Sequence, residues 1–181
     1  METRDLYSDL ELVEGCKANK RKYQELLYRK YAKKMYGICL SYARDRAMAQ
    51  DILQDGFIKV FKNISSFKGE GSLEGWIRKI VTNTALDYMR KKSKGYEFID
   101  DNKDVEEEKT DKTILEKINF DALIKMISQL PEGARMVFNL YALEGYTHKE
   151  IAEELNITAG TSKSQYKRAR AMLKNWLKDA I

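Results

Sequence analysis

Proline occurs once in this 181-residue chain, at Pro131, and glycine only ten times. With so few breaks the chain favours long helices over many short strands joined by turns. Histidine occurs once, at His148, and cysteine twice, at Cys16 and Cys39. A structural zinc site takes roughly four such ligands, and no Cys-x-x-Cys pair is present, so no metal site of the usual kind is expected. Two isolated thiols also speak against a disulfide framework and for a reducing cytoplasm. No apolar run approaches the roughly 20 residues of a membrane span, and METRDLYSDLELVEG holds no apolar signal core. Membrane insertion is therefore not expected. The chain also lacks a Gly-rich phosphate loop followed by Lys-Ser/Thr, a nucleophile near a histidine, and convergent carboxylates. Neither a catalytic site nor a cofactor is expected.

What is present is a well-stocked core and an uneven charge. Hydrophobic residues make up 43% of the chain, too many for a disordered one. The net charge is +5, which alone only hints at a polyanionic partner. Its distribution says more. Glu97 to Lys112 carries eight acids against three lysines, which leaves that stretch at −5 and the rest of the chain at +10. Gly95 to Thr113 has no core pattern and reads as a solvated linker. The expected organisation is all-α. A first helical domain spans residues 1–95, an acidic flexible linker 96–113, and a second helical domain 114–181.

Local signals place the helices. Ser8 with Glu11 forms a capping box for a short first helix that Gly15 is expected to end. Tyr23, Leu27, Tyr31, Met35 and Tyr42 recur at steps of four and seven over residues 21–42. Ala49, Ile52, Val60, Phe61 and Ile64 mark a further helix. A polar loop, FKGEGS, then leads into a helix from Leu73 to Lys92. Trp76, Ile77, Ile80 and Val81 share a neighbourhood there, so Trp76 is expected in the core. Ile124, Ile127 and Leu130 precede Pro131, and a helix is expected from Glu132 to Leu143. Cys39 falls at a core-facing step, and Cys16 is expected just past a helix end.

The segment YTHKEIAEELNITAGTSKSQYKRARAMLKNWL reads as a helix-turn-helix. Thr147 with Glu150 caps one helix. Ile151 and Leu155 face inward, and Ala152 leaves room for a second helix to cross. Asn156 suits the left-handed backbone of a turn, Ile157 fills the corner, and Thr158 caps the next helix. That helix sorts its residues. Tyr166, Ala169, Leu173 and Trp176 form an apolar stripe, and Lys163, Lys167, Arg170 and Lys174 a basic one. No acid occurs from Lys163 to Lys178. Such a helix fits the major groove of duplex DNA with its N-terminal residues at base edges. His148 is expected to be an exposed first-turn residue.

Two blocks, RAMAQDILQDGFIKVFKNISSF and GSLEGWIRKIVTNTALDYMRKKSK, resemble domain two of the extracytoplasmic-function sigma factors of bacterial RNA polymerase. LPEGARMVFNLYALEGYTHKEIAEELNITAGTSKSQYKRARAML is similar to their domain four. The resemblance runs from about residue 8 to 178, excluding the linker. It implies an alternative sigma factor that docks on core polymerase and recognises and melts promoter DNA.

Residue by residue, it implies that Asp51, Gln54 and Asp55 meet the clamp helices of the polymerase largest subunit. It implies that Lys68, Gly69, Glu70, Gly71 and Ser72 pocket a flipped base of the melted minus-ten strand. Asn83 matches a base-contacting position, with Asp87 and Arg90 further along. Basic charge over this block suits phosphate, and amides suit unstacked bases. In domain four the minus-thirty-five contacts map to Lys163, Ser164, Lys167 and Arg168, with Arg170 and Lys174 further along the basic stripe. Ser162 departs from the valine common in the family, and Gln165 from a basic residue. Both are read as possible shifts of promoter preference. The family also implies an anti-sigma partner. A helix-turn-helix regulator that never joins polymerase would explain Thr147 to Leu177 equally well, though not Asp51 to Phe61 or Trp76 to Lys94. A tethered adaptor that binds no nucleic acid would leave the charge separation unexplained.

Overall fold

The structure, a computed structural model, describes residues 7–92 and 120–179. The linker expected at 96–113 and the apolar positions Ile114, Leu115 and Ile118 lie outside the described residues. Every regular element among the described residues is helical. The chain divides into two compact units between Met89 and Arg90.

The first unit contains α1 (Asp9–Lys17), α2 (Arg21–Tyr42), α3 (Arg46–Asn63), a short 3-10 turn (Ile64–Ser66) and all but the last three residues of α4 (Leu73–Lys92). The Ser8–Glu11 capping box opens α1 as expected. Gly15 does not end it. The helix runs on to Lys17, and the reversal is made at Asn19, whose φ is +53°. Gly15 is instead a point of close approach between α1 and α2. A Cβ there would lie 2.1 Å from Cγ of Tyr23. Glycine serves as a stop or as a close approach, and here it is the latter. Asp9 ties the same corner, accepting from Lys30 Nζ at 2.8 Å and from the Tyr31 hydroxyl at 2.6 Å. Burial raises its carboxyl, yet these two donors hold it below its usual value.

Asp45 caps α3 by accepting from the Met48 amide at 2.7 Å. Leu27, Met35, Cys39, Ile52, Ile77 and Leu86 are among the residues that fill the core of this unit. Cys16 belongs to α1 and is buried rather than lying past its end. Trp76 is half-buried at the edge of the core, its ring 5.5 Å from that of Phe67. At Gly56 a Cβ would come 3.1 Å from Cγ2 of Val81, so α3 and α4 approach closely there.

The second unit contains α5 (Phe120–Gln129), α6 (Glu132–Phe138), α7 (His148–Leu155) and α8 (Ala159–Asp179). Ile127, Leu130, Ala134, Ala169 and Leu173 form its core, with Phe138 and Trp176 packed against it. Arg135 is buried, and its Nη1 donates to the Ser128 carbonyl at 2.7 Å, tying α6 to the end of α5. The helix expected over Glu132–Leu143 changes pitch. It is α-helical to Phe138, and Asn139–Leu143 widens into a π turn closed by the Glu144 amide on the Asn139 carbonyl at 3.0 Å. Wide turns of this kind displace the side chains they carry, and this one carries Tyr141 towards α7.

Candidate nucleic-acid interface

α7 and α8 meet through a turn built as the sequence indicates. Thr147 and Glu150 make the reciprocal capping box. Asn156 adopts φ +53° and ψ +49°, the left-handed conformation that its short amide side chain tolerates. The Ile157 amide returns to the Ala152 carbonyl at 3.0 Å. Thr158 Oγ1 accepts from the Thr161 amide at 2.9 Å and so caps α8. Ile151 and Leu155 are buried under α8.

This frame divides α8 into two faces. Ser162, Gln165, Ala169, Leu173 and Leu177 are buried. Lys163 and Arg170 are exposed, and Ser164, Lys167, Arg168 and Lys174 are half-exposed. The four candidate base-reading residues therefore lie together away from the core, over the first three turns of the helix. Ser164 Oγ turns back to the Thr161 carbonyl at 2.9 Å, and the Arg170 guanidinium lies 5.9 Å from the centre of the Tyr166 ring.

The packing of α8 also places Ser162, Gln165 and His148. Gln165 is buried at 2% exposure, so it does not share the face of Lys163 and Lys167. The two departures from the family pattern, Ser162 and Gln165, both lie on the inner side of α8. His148 is half-buried rather than an exposed first-turn residue. Its Nδ1 lies 2.9 Å from Ser162 Oγ, and its ring stacks on Tyr141 at 4.4 Å with the planes 15° apart. Tyr166 meets it edge-on at 5.9 Å. Burial, then the Lys163 charge, holds the imidazole below its ordinary value. Periodicity could not reveal this cluster, because the π turn that delivers Tyr141 has no sequence signature of its own.

In the first unit the loop before α4 carries Gly69 and Gly71 at φ +79° and +81°. Lys68 through Ser72 are exposed. Ser72 Oγ accepts from the Gly75 amide at 3.1 Å and caps α4. Asn83 is exposed on α4, and Arg90 is exposed near its end. Asp87 is engaged within the protein: Lys59 Nζ on α3 lies 3.0 Å from its carboxylate. Its charge thus helps to hold α3 and α4 together.

Asp51 and Gln54 are exposed on α3, and Asp55 is half-exposed and accepts from the Tyr88 hydroxyl at 2.7 Å. That bond, together with burial, pushes the Tyr88 phenol up to about 12. Beside these groups runs an open groove of about 650 Å3 between α2 and α3, lined by Tyr28, Tyr36, Leu53, Gln54, Phe57 and Ile58 among others. Tyr28 and Ile58 are large apolar side chains left 40% and 43% exposed. Both stand out of phase with the buried stripes of their helices. That mismatch of phase is the sequence signal for the groove.

Comparison with known proteins supplies the family. The family model for Sigma-70 region 2 matches residues 27–95, and that for Sigma-70, region 4 matches residues 120–173. The ECF RNA polymerase sigma-E factor of Haemophilus influenzae is 30% identical over 93% of this chain and 94% of its own length. The RNA polymerase sigma-H factor of Pseudomonas aeruginosa is 26% identical over 90% of each chain. Among solved structures, the sigma factor RpoE from Bartonella quintana, crystallised with the anti-sigma factor NepR, superposes with a TM-score of 0.51. It is 25% identical and covers 88% of this chain and 98% of that one. With two sigma regions in the family's order and relatives that match along nearly the whole chain, this protein belongs to the extracytoplasmic-function RNA polymerase sigma factors.

Proposed function

We propose that the protein divides the work of a sigma factor between its two units along the boundaries 1–95 and 114–181, with 96–113 as the tether. Unit 1 docks on core polymerase through Asp51, Gln54 and Asp55, with the Tyr28–Ile58 groove supplying an apolar floor beside them. It holds the melted minus-ten strand with the Lys68–Ser72 loop, Asn83 and Arg90. Unit 2 reads duplex at the minus-thirty-five element with Lys163, Ser164, Lys167 and Arg168, while Arg170 and Lys174 meet phosphate.

The observation that carries this reading is the sorting of α8. Its inner side is buried in the unit's core, and its outer side gathers cations and a hydroxyl at the N-terminal end, where a helix in the major groove meets base edges. The chemistry is binding and strand separation, with no reaction of its own, so the protein acts as a non-enzymatic factor. Its partners are the core polymerase and promoter DNA, which sets it in the cytoplasm. No helix among the described residues is long and apolar enough to cross a membrane. An anti-sigma factor is a further expected partner, since the Bartonella quintana relative was solved bound to one.

Reconstitution with core polymerase tests the proposal. The full chain should form a stoichiometric complex and direct initiation from a defined set of promoters. A chain that binds duplex DNA and leaves core polymerase unbound would be a regulator instead.

A further inference from the structure

The buried side of α8 changes character along its length. The first two turns bury Ser162 and Gln165, at 0% and 2% exposure, whereas the later turns bury Ala169, Leu173 and Leu177. Aliphatic contacts are close-packed but without direction. A hydrogen bond has a preferred distance and angle. The end of α8 that carries the candidate base readers thus buries polar side chains of its own, and the end that carries the phosphate contacts buries apolar ones.

Ser162 meets His148 at 2.9 Å. The imidazole is in turn held from two sides, stacked on Tyr141 of the π turn and faced by the edge of Tyr166. Tyr141 and Tyr166 also touch each other, 4.5 Å between centres. Two other elements therefore hold the ring that α7 carries, and the ring meets one hydroxyl. That hydroxyl belongs to the residue directly before Lys163 and stands one turn from Tyr166 on the same side of the helix.

We infer that the His148–Ser162 pair is a positioning device that sets the rotation of α8 about its own axis, and thereby which base edges Lys163, Ser164, Lys167 and Arg168 reach. The inference rests on the reading of α8 as the recognition helix. Neither residue touches DNA in this scheme. Ser162 defines the azimuth, and His148 transmits to it the placement of α7 and the π turn. A valine at 162 would fill space there without a hydrogen bond to orient the helix.

Two substitutions of His148 separate positioning from stability. His148→Phe keeps a flat ring between Tyr141 and Tyr166 and deletes the bond to Ser162. His148→Asn sets a polar amide atom near the place of Nδ1, keeps the bond, and deletes the ring. Ser162→Ala removes the bond from the other side. Holoenzyme carrying each full-length variant is presented with a duplex pool randomised across the upstream promoter element. Base frequencies among bound molecules are compared with those of the wild type, and thermal melting of each full-length variant is recorded.

His148→Phe and Ser162→Ala should flatten preference at one or two base pairs by on the order of fivefold, and their combination should do no more than either alone. His148→Asn should keep the wild-type preference and melt at a lower temperature. Unchanged base frequencies in both His148→Phe and Ser162→Ala, against a wild type that selects sequence, overturn the inference and leave α8 as the recognition helix. A wild-type holoenzyme that selects no sequence in this element overturns the recognition-helix reading and this inference with it. Should Ser162→Ala fail to fold, His148→Phe alone decides.

Discussion

The hydroxyl of Tyr88 on α4 donates a 2.7 Å hydrogen bond to the carboxylate of Asp55 on α3. It joins the helix assigned to polymerase docking to the helix assigned to the minus-ten strand. Tyr88→Phe should cost about 0.5–1.5 kcal/mol of stability and leave affinity for core polymerase intact, because Asp55 keeps its charge. Reversing both Asp51 and Asp55 to lysine should instead lower that affinity at least about tenfold, ~1.4 kcal/mol, with helicity unchanged by circular dichroism. If Tyr88→Phe weakens binding as much as the reversal does, Asp55 acts by holding α4 and does not meet the polymerase.

Asn83 is exposed on α4 and makes no contribution to the buried core. Asn83→Ala should therefore leave folding and core binding untouched while lowering the yield of open complex on duplex promoters. A premelted template should restore most of the loss if the residue acts on unstacked bases. Permanganate footprinting reads both. An open-complex yield equal to the wild type would remove Asn83 from the interface.

Arg168 and Lys174 should fail in different ways. Arg168→Ala is expected to cost about 1–3 kcal/mol and to relax preference at one minus-thirty-five base pair. Lys174→Ala should weaken all sequences alike and lower the salt slope by roughly one unit. Holoenzyme affinity for single-base duplex variants at several salt concentrations gives both readouts. Uniform weakening by Arg168→Ala would make it a phosphate contact and turn the reading face of α8 away from it.

Gly15 admits no side chain beside the Tyr23 ring. Gly15→Ala, which would favour a free helix, should here destabilise the first unit by about 1–3 kcal/mol through overpacking. Adding Tyr23→Leu should recover part of the loss, as measured by urea titration.

His148 gives the second unit a pH dependence. Burial and Lys163 favour the neutral imidazole in the folded state, below its ordinary 6.5. The unfolded chain takes up the proton first, so stability is complete above about pH 6.5 and declines as the pH falls through that value. It levels off once the folded ring protonates too. Glu150, held below its usual range by the backbone and hydroxyl of Thr147, titrates lower and outside this window. Melting from about pH 7.5 to about pH 5.5 should show the decline in the wild type and a shallower one in His148→Phe. Identical slopes would mean that the ring titrates freely.

The local grammar of this chain was legible in advance. α2 and α4 begin and end where periodicity put them, and the caps at Ser8, Thr147 and Thr158 and the left-handed Asn156 follow from side-chain chemistry that acts within four residues. What escaped was decided across space. Gly15 reads as a stop until Tyr23 is seen against it. His148 reads as surface until the π turn brings Tyr141 to it. Gln165 reads only as a departure from the family's basic residue, and the packing of that helix shows it buried. The groove at Tyr28 and Ile58 is written in the sequence only as an anomaly of phase, which periodicity alone does not turn into a surface.

Both thiols of the chain, Cys16 and Cys39, belong to the first unit, and both are buried. Burial pushes them up to about 11 and about 12, so neither presents a thiolate to an alkylating reagent while its helices are closed. The rate at which such a reagent labels the native protein is then a clock for transient opening of that unit alone, and the second unit, which has no sulfhydryl, contributes nothing to the signal. Comparing the clock with and without core polymerase would report how tightly binding clamps α1 and α2 shut, with no residue changed.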